Sequence, residues 1–195
     1  MLAVLDENAG TGVFEPGFEQ GQTLPPQIQQ SIGPELMIPE LLETTFRRNA
    51  KRFASALLDT PEGDLTSWGH MIRKPAHSNR PAPWHTALAS WPPELDYHAI
   101  GCWLPLHEVT VERGCMQFIP GSHTGELKHH DFQGDPSGNL LIVHDVDDST
   151  AVACPLPAGG ATFHHNLTLH YTTPNTTDLD RLPCPTELQV MPWRR

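Results

Sequence analysis

The chain has 195 residues, with 12 Lys plus Arg against 23 Asp plus Glu and a formal charge of −11, a length that suits one domain with one core. An acidic balance without any basic run excludes a surface built to neutralise a phosphate backbone, so no nucleic-acid partner is expected. The hydrophobic share is 38%; no stretch approaches the roughly 18–20 apolar residues of a membrane helix, and no basic-then-apolar leader opens the chain, so a cytoplasmic protein with no membrane partner is expected.

In chain order, residues 1–34 mix Gly, Pro, Gln and Glu without a period of 2 or 3.6 and read as an irregular N-terminal arm. From Pro39 to Leu58, apolar residues at 41, 42, 46, 50, 53, 54, 57 and 58 recur at helical spacing between Glu43, Arg47, Arg48, Lys51 and Arg52. This predicts one amphipathic helix over 39–58 whose basic face is solvated. Beyond Gly63, short apolar runs are punctuated by Pro, Gly, Asn and Asp, which predicts strands over 67–74, 98–105, 116–120, 140–143, 151–155, 161–165 and 188–191. Such a count favours a mainly β fold, a double-stranded β-helix (a cupin-like jelly roll) occupying 35–195 and including the N-terminal helix. Asp145 to Asp148 read as a solvated loop. Cys102, Cys115, Cys154 and Cys184 form no C-x-x-C pair, so neither a zinc knuckle nor a disulfide framework is suggested.

The 12 histidines are the chemical signal, because neutral imidazole is the commonest metal ligand. His85, in Pro83-Trp84-His85-Thr86-Ala87, and His170, in Thr168-Leu169-His170-Tyr171, stand beside strand-like runs where alternate residues face an interior. Trp84, Trp91, Trp103, Met71 and Tyr97 could line a pocket, but core packing is their commoner use. The same holds for His98, His107, His164 and His165, read as packing or surface residues rather than as a polar shell around a metal.

The segments Met71-Ile72-Arg73-Lys74-Pro75, Pro83-Trp84-His85, Gly101-Cys102-Trp103-Leu104-Pro105-Leu106, Gly114 to His123, Pro157 to His165, Leu169-His170-Tyr171 and Asn175 to Arg181 carry a resemblance in their order and spacing. Over roughly 68–186 the chain resembles the phytanoyl-CoA dioxygenase family of iron(II)/2-oxoglutarate oxygenases. The resemblance implies that His85 and His170 are the first and last Fe(II) ligands, and that Arg181 receives the distal carboxylate of 2-oxoglutarate. A planar guanidinium fork matches a carboxylate and stays charged when buried. Lys74 matches a position that assists this anchoring; a solvated Lys at a strand end is its alternative. Small-molecule substrate and O2 are the implied partners, and a homo-oligomer is left open. The shorter front than the family usually has predicts an exposed pocket mouth or a partner subunit covering it.

One position departs from the family pattern His-x-Asp: the third ligand place holds Ala87, whose methyl cannot coordinate. Three readings compete. The site resembles halogenase centres in which a small residue admits chloride; or it still hydroxylates, using water or a carboxylate such as Glu94 or Asp96; or Ala87 marks a catalytically impaired protein that binds metal and 2-oxoglutarate without turnover.

Overall fold

The computed structural model describes residues 28–132, 141–190 and 193–194. The chain enters as strand β1 (Gln29–Ile32), passes 3-10 turns at Pro34–Leu36 and Pro39–Glu43, and forms helix α1 (Thr45–Leu57) before any long strand begins. Then follow β2 (Leu65–Arg73), β3 (Ala82–His85), β4 (Leu95–Asp96), β5 (Ala99–Trp103), β6 (Met116–Phe118) and β7 (Asp131–Phe132). The remaining strands are β8 (Leu141–Ile142), β9 (Val152–Cys154), β10 (Thr162–His165), β11 (His170–Thr172), β12 (Thr186–Val190) and β13 (Trp193–Arg194). A five-stranded sheet in the order β1-β2-β12-β5-β10 stands opposite a four-stranded sheet β3-β11-β6-β9, and both are antiparallel. Two such sheets with one helix are the expected jelly roll.

Period-2 alternation decides what each sheet presents. On β5, Ile100 and Cys102 face α1 and join Ala50, Ala54, Leu65 and Leu188 in one buried cluster. Trp103, next after Cys102 and on the other face, packs with Val109, Cys115 and Met116, the last of these on the opposite sheet. The larger sheet is therefore covered by the helix on one face and by the smaller sheet on the other.

Three expectations change. The arm expected over 1–34 does not stay irregular to its end, because Gln29–Ile32 pair with β2 from Arg73 back to His70; residues 1–27 lie outside the described residues. The α-helix begins at Thr45, where the Thr44 hydroxyl accepts from the Arg47 N–H, and the Pro39 segment is a separate 3-10 turn. The basic face of α1 is not wholly solvated: Arg47 is buried and bonds Glu35 at 3.2 Å, while the other Glu35 oxygen accepts from the Gly69 N–H at 2.8 Å. A Cβ at Gly69 would overlap the Arg47 guanidinium, which explains why a strand interior carries glycine there.

Candidate metal centre

Strands β3 and β11 pair with His85 directly opposite His170. Antiparallel partners bring side chains on one face together, and the two rings lie 4.1 Å apart between centroids. Each ring is held by its own chain: His85 Nδ1 donates to the Pro83 carbonyl at 2.6 Å, and His170 Nδ1 donates to the Thr168 carbonyl at 2.9 Å. A proton fixed on Nδ1 leaves the Nε2 lone pair of both rings for a metal. Burial first, then His130 beside His85 and the His85 and His164 rings beside His170, hold both imidazoles below their ordinary range, His170 well below it, so both are neutral at pH 7 as ligation requires.

Two residues further along β11, on the same face, Thr172 meets Lys74. The Lys74 ammonium donates to Thr172 Oγ1 at 2.8 Å and to the Thr173 carbonyl at 2.6 Å. Lys74 and Arg181 face each other across an isolated bridge with reciprocal backbone hydrogen bonds of 2.9 Å. Both side chains are buried, at 0% and 2% exposure, so the solvated alternative for Lys74 is overturned. The Arg181 guanidinium lies over the Trp103 ring, and its Nε has no hydrogen-bond partner. Burial lowers Arg181 to about 10, and burial with the neighbouring guanidinium lowers Lys74 to about 6. Asp180 locks the preceding turn, accepting from Arg73 Nε at 2.8 Å and from the Ala76 N–H at 2.9 Å.

Along β11, His170 and the Thr172 hydroxyl that holds Lys74 are a two-residue step apart, about 6.7 Å of strand, which is the scale of a five-carbon dicarboxylate. Buried polar atoms without partners surround this space: Thr162 Oγ1 and His164 Nδ1 on the face of β10 that carries the Trp103 partner, His70 Nε2 on β2, and Arg181 Nε. Leaving such groups unpaired is costly, on the order of 1–3 kcal/mol each, so a polar ligand here removes a standing penalty. The donor chemistry fits a divalent ion at the two imidazoles and an organic diacid between them and Arg181.

Ala87 opens a 3-10 turn, Ala87–Ser90, and offers no donor; the preceding Thr86 N–H bonds His130 Nε2 at 3.0 Å. Among the described residues no three His, Cys, Asp or Glu side chains are arranged to hold one ion. Glu94 is exposed, and Asp96 lies on β4, which pairs with β13 and not with either sheet that carries the histidines. Trp84 stacks on Tyr171 at 5.3 Å, on the outward side of the paired strands, and Trp91 packs on Tyr97. His98, His107 and His165 bond backbone groups. His164 does not follow them: it faces the site, 5.1 Å from His170. His70 and His164 are both lowered to about 4, by burial first and then by proximity to His85. His70 is not singled out by the sequence, and His164 reads there as packing rather than as part of a polar shell, because a strand's inward parity is set by its register, which the local sequence does not carry.

A two-sheet jelly roll presenting an imidazole pair and a buried guanidinium at one end defines the class. Within it, residues 30–182 match the profile of Phytanoyl-CoA dioxygenase (PhyH), and the chain belongs to that family. A phytanoyl-CoA dioxygenase domain-containing protein 1 homolog of Caenorhabditis briggsae is 32% identical over 92 residues, 43% of this chain and 32% of that protein. The peroxisomal phytanoyl-CoA dioxygenase of Homo sapiens is 26% identical over 114 residues, 55% of this chain and 34% of that protein. The matched stretch thus spans about a third of these relatives' length. Among solved structures, EvdO2 from Micromonospora carbonacea var. aurantiaca, complexed with 2-oxoglutarate, aligns with a TM-score of 0.84 and 37% identity over 93% of this chain and 77% of that one. The alpha-ketoglutarate-dependent carbocyclase SnoK from nogalamycin biosynthesis, at 22% identity and a TM-score of 0.73 over 100% of this chain and 76% of that one, shares the fold.

Proposed function

We propose that the protein is a non-haem Fe(II)/2-oxoglutarate-dependent oxygenase acting on a C–H bond of a small organic substrate, by hydroxylation or halogenation. The observation that carries this reading is His85 paired opposite His170, each with Nδ1 tied to a carbonyl, two residues along β11 from the Thr172 that holds buried Lys74, itself bridged to buried Arg181. The bound 2-oxoglutarate of EvdO2, at 37% identity, supports it. Iron and 2-oxoglutarate, when bound, supply the oxidative decarboxylation of the cosubstrate by O2 coupled to oxidation of the substrate. The chain's own contribution is positional. His85 and His170 would hold the metal through their Nε2 atoms, Arg181 would receive the distal carboxylate of 2-oxoglutarate, Lys74 would add charge there, and Trp103 would shield the guanidinium face from water.

Ala87 favours a second reading, a protein that binds metal and 2-oxoglutarate but is catalytically impaired, since a missing donor weakens metal affinity and control of the metal. Anaerobic titration with Fe(II) and 2-oxoglutarate, with and without chloride, separates these cases through the visible metal-to-cosubstrate band. A band with succinate formed on admitting O2 supports oxygenase action, and a chloride-dependent band supports halide at the position beside Ala87. A band without succinate supports the impaired reading, whereas the lack of any band rejects both.

A further inference from the structure

Ala87 leaves the centre one donor short, yet the opposite sheet carries an imidazole, His164, whose buried Nδ1 has no hydrogen-bond partner. His164 sits on β10 as the register partner of Gly101, with its ring 5.1 Å from His170 and 5.0 Å from Phe118. Its Nδ1 is buried without a hydrogen-bond partner. His85 and His170 are each tied to a backbone carbonyl, whereas the His164 ring makes no hydrogen bond to a described residue and packs against Phe118 and His170.

We propose that His164 is the third protein ligand of the metal centre, replacing the carboxylate that Ala87 lacks, so that the ion rests on three imidazoles from His85, His164 and His170. The inference rests on reading His85 and His170 as ligands. Two imidazoles that share one ion, with metal–nitrogen bonds of about 2.1 Å at angles between square and tetrahedral, have ring centroids about 4.6–5.3 Å apart. The His164–His170 separation of 5.1 Å falls within that span, and the His85–His170 separation of 4.1 Å reaches it by a small opening of the pair.

As the rings stand, no three of the described side chains hold one ion together; rotation of the His164 side chain completes the set. That rotation breaks no hydrogen bond to a described residue, and it gives a partner to a buried nitrogen that has none, which sets its direction. The donors come from both sheets, β3 and β11 on one side and β10 on the other, so the ion also cross-links the jelly roll. His70 has an orphaned Nε2 as well and lies near His85, as His164 does, but only His164 also packs its ring against His170.

The test counts imidazoles on the ion and measures affinity, without turnover. The full chain is loaded with Cu(II) as a spectroscopic probe and examined by pulsed electron paramagnetic resonance, and Fe(II) binding is measured by anaerobic equilibrium dialysis. The expected result is three equatorial imidazoles in the unaltered chain, two in His164→Phe, and an Fe(II) Kd at least tenfold higher in that variant. Phenylalanine keeps the aromatic packing on Phe118, and the count in the unaltered chain needs no variant. Two imidazoles in the unaltered chain, or an unchanged Fe(II) Kd in His164→Phe, overturns the proposal while the paired-ligand reading stands. Should His85→Gln and His170→Gln also leave Fe(II) binding unchanged, the paired-ligand reading itself is wrong.

Discussion

Burial and the adjacent guanidinium bring the Lys74 ammonium down to about 6, so near pH 7.5 it is mostly uncharged while no anion is bound. A distal carboxylate of 2-oxoglutarate placed beside Lys74 and Arg181, as proposed, would favour the charged amine and raise its pKa. Binding of 2-oxoglutarate at pH 7.5 is therefore expected to take up close to one proton per site. Calorimetry in buffers of different ionisation enthalpy measures this directly; uptake disappears in Lys74→Met, and a proton count near zero in the unaltered chain rejects the placement. Arg181→Met keeps most of the buried volume but removes the fork. Hydrogen bonds to charged groups contribute about 1.5–3 kcal/mol, so the 2-oxoglutarate Kd is expected to rise about tenfold to a hundredfold, read by the same titration. The resemblance singled out Lys74 and Arg181 from their segments, but the bridge and the two β11 acceptors that bury the amine depend on a contact between residues about a hundred positions apart.

At the scale of elements, the helix is the best-specified part of the chain. Its spacing placed Ala50 and Ala54 on the buried face correctly, and Leu188 meets them from the central strand β12 at 0% exposure. Leu188→Ala is expected to lose about 2–5 kcal/mol of stability, through lost burial and a residual cavity, measured by urea unfolding of the metal-free protein. The same spacing also counted Phe53 and Leu57, which are 61% and 58% exposed; periodicity marks an apolar stripe but not how much of its width the sheet covers. Strands β3 and β11 escaped prediction because each is only three or four residues long and Pro83 interrupts the first. Their pairing nonetheless sets His85 against His170.

Across the whole molecule, the cluster of neutral histidines links stability to pH. His70 and His164 fall from an ordinary 6.5 to about 4 in the folded chain. Between these values the unfolded chain binds more protons than the folded one, so stability is full above about pH 6.5 and declines as pH falls toward 4. Urea midpoints in chelator are expected to drop between pH 7 and pH 5, and less so in a His70→Gln, His164→Gln double variant. An equal drop in both proteins would show that other groups control acid sensitivity. Lys74 and Arg181 are buried in the same interior as these rings, so the burial that tunes the imidazoles also shields the guanidinium from water.

By itself the sequence determined the jelly-roll class, the single helix, the segments bearing His85, His170, Lys74 and Arg181, and the departure at Ala87, because strand punctuation, helical period and motif order are local properties of the chain. Only the tertiary structure decided that Arg47 and Lys74 are buried, that Trp84 faces away from the site, and that His70 and His164 turn toward it. The reason is physical: which face of a strand meets the opposite sheet depends on register, and register is a relation between distant segments.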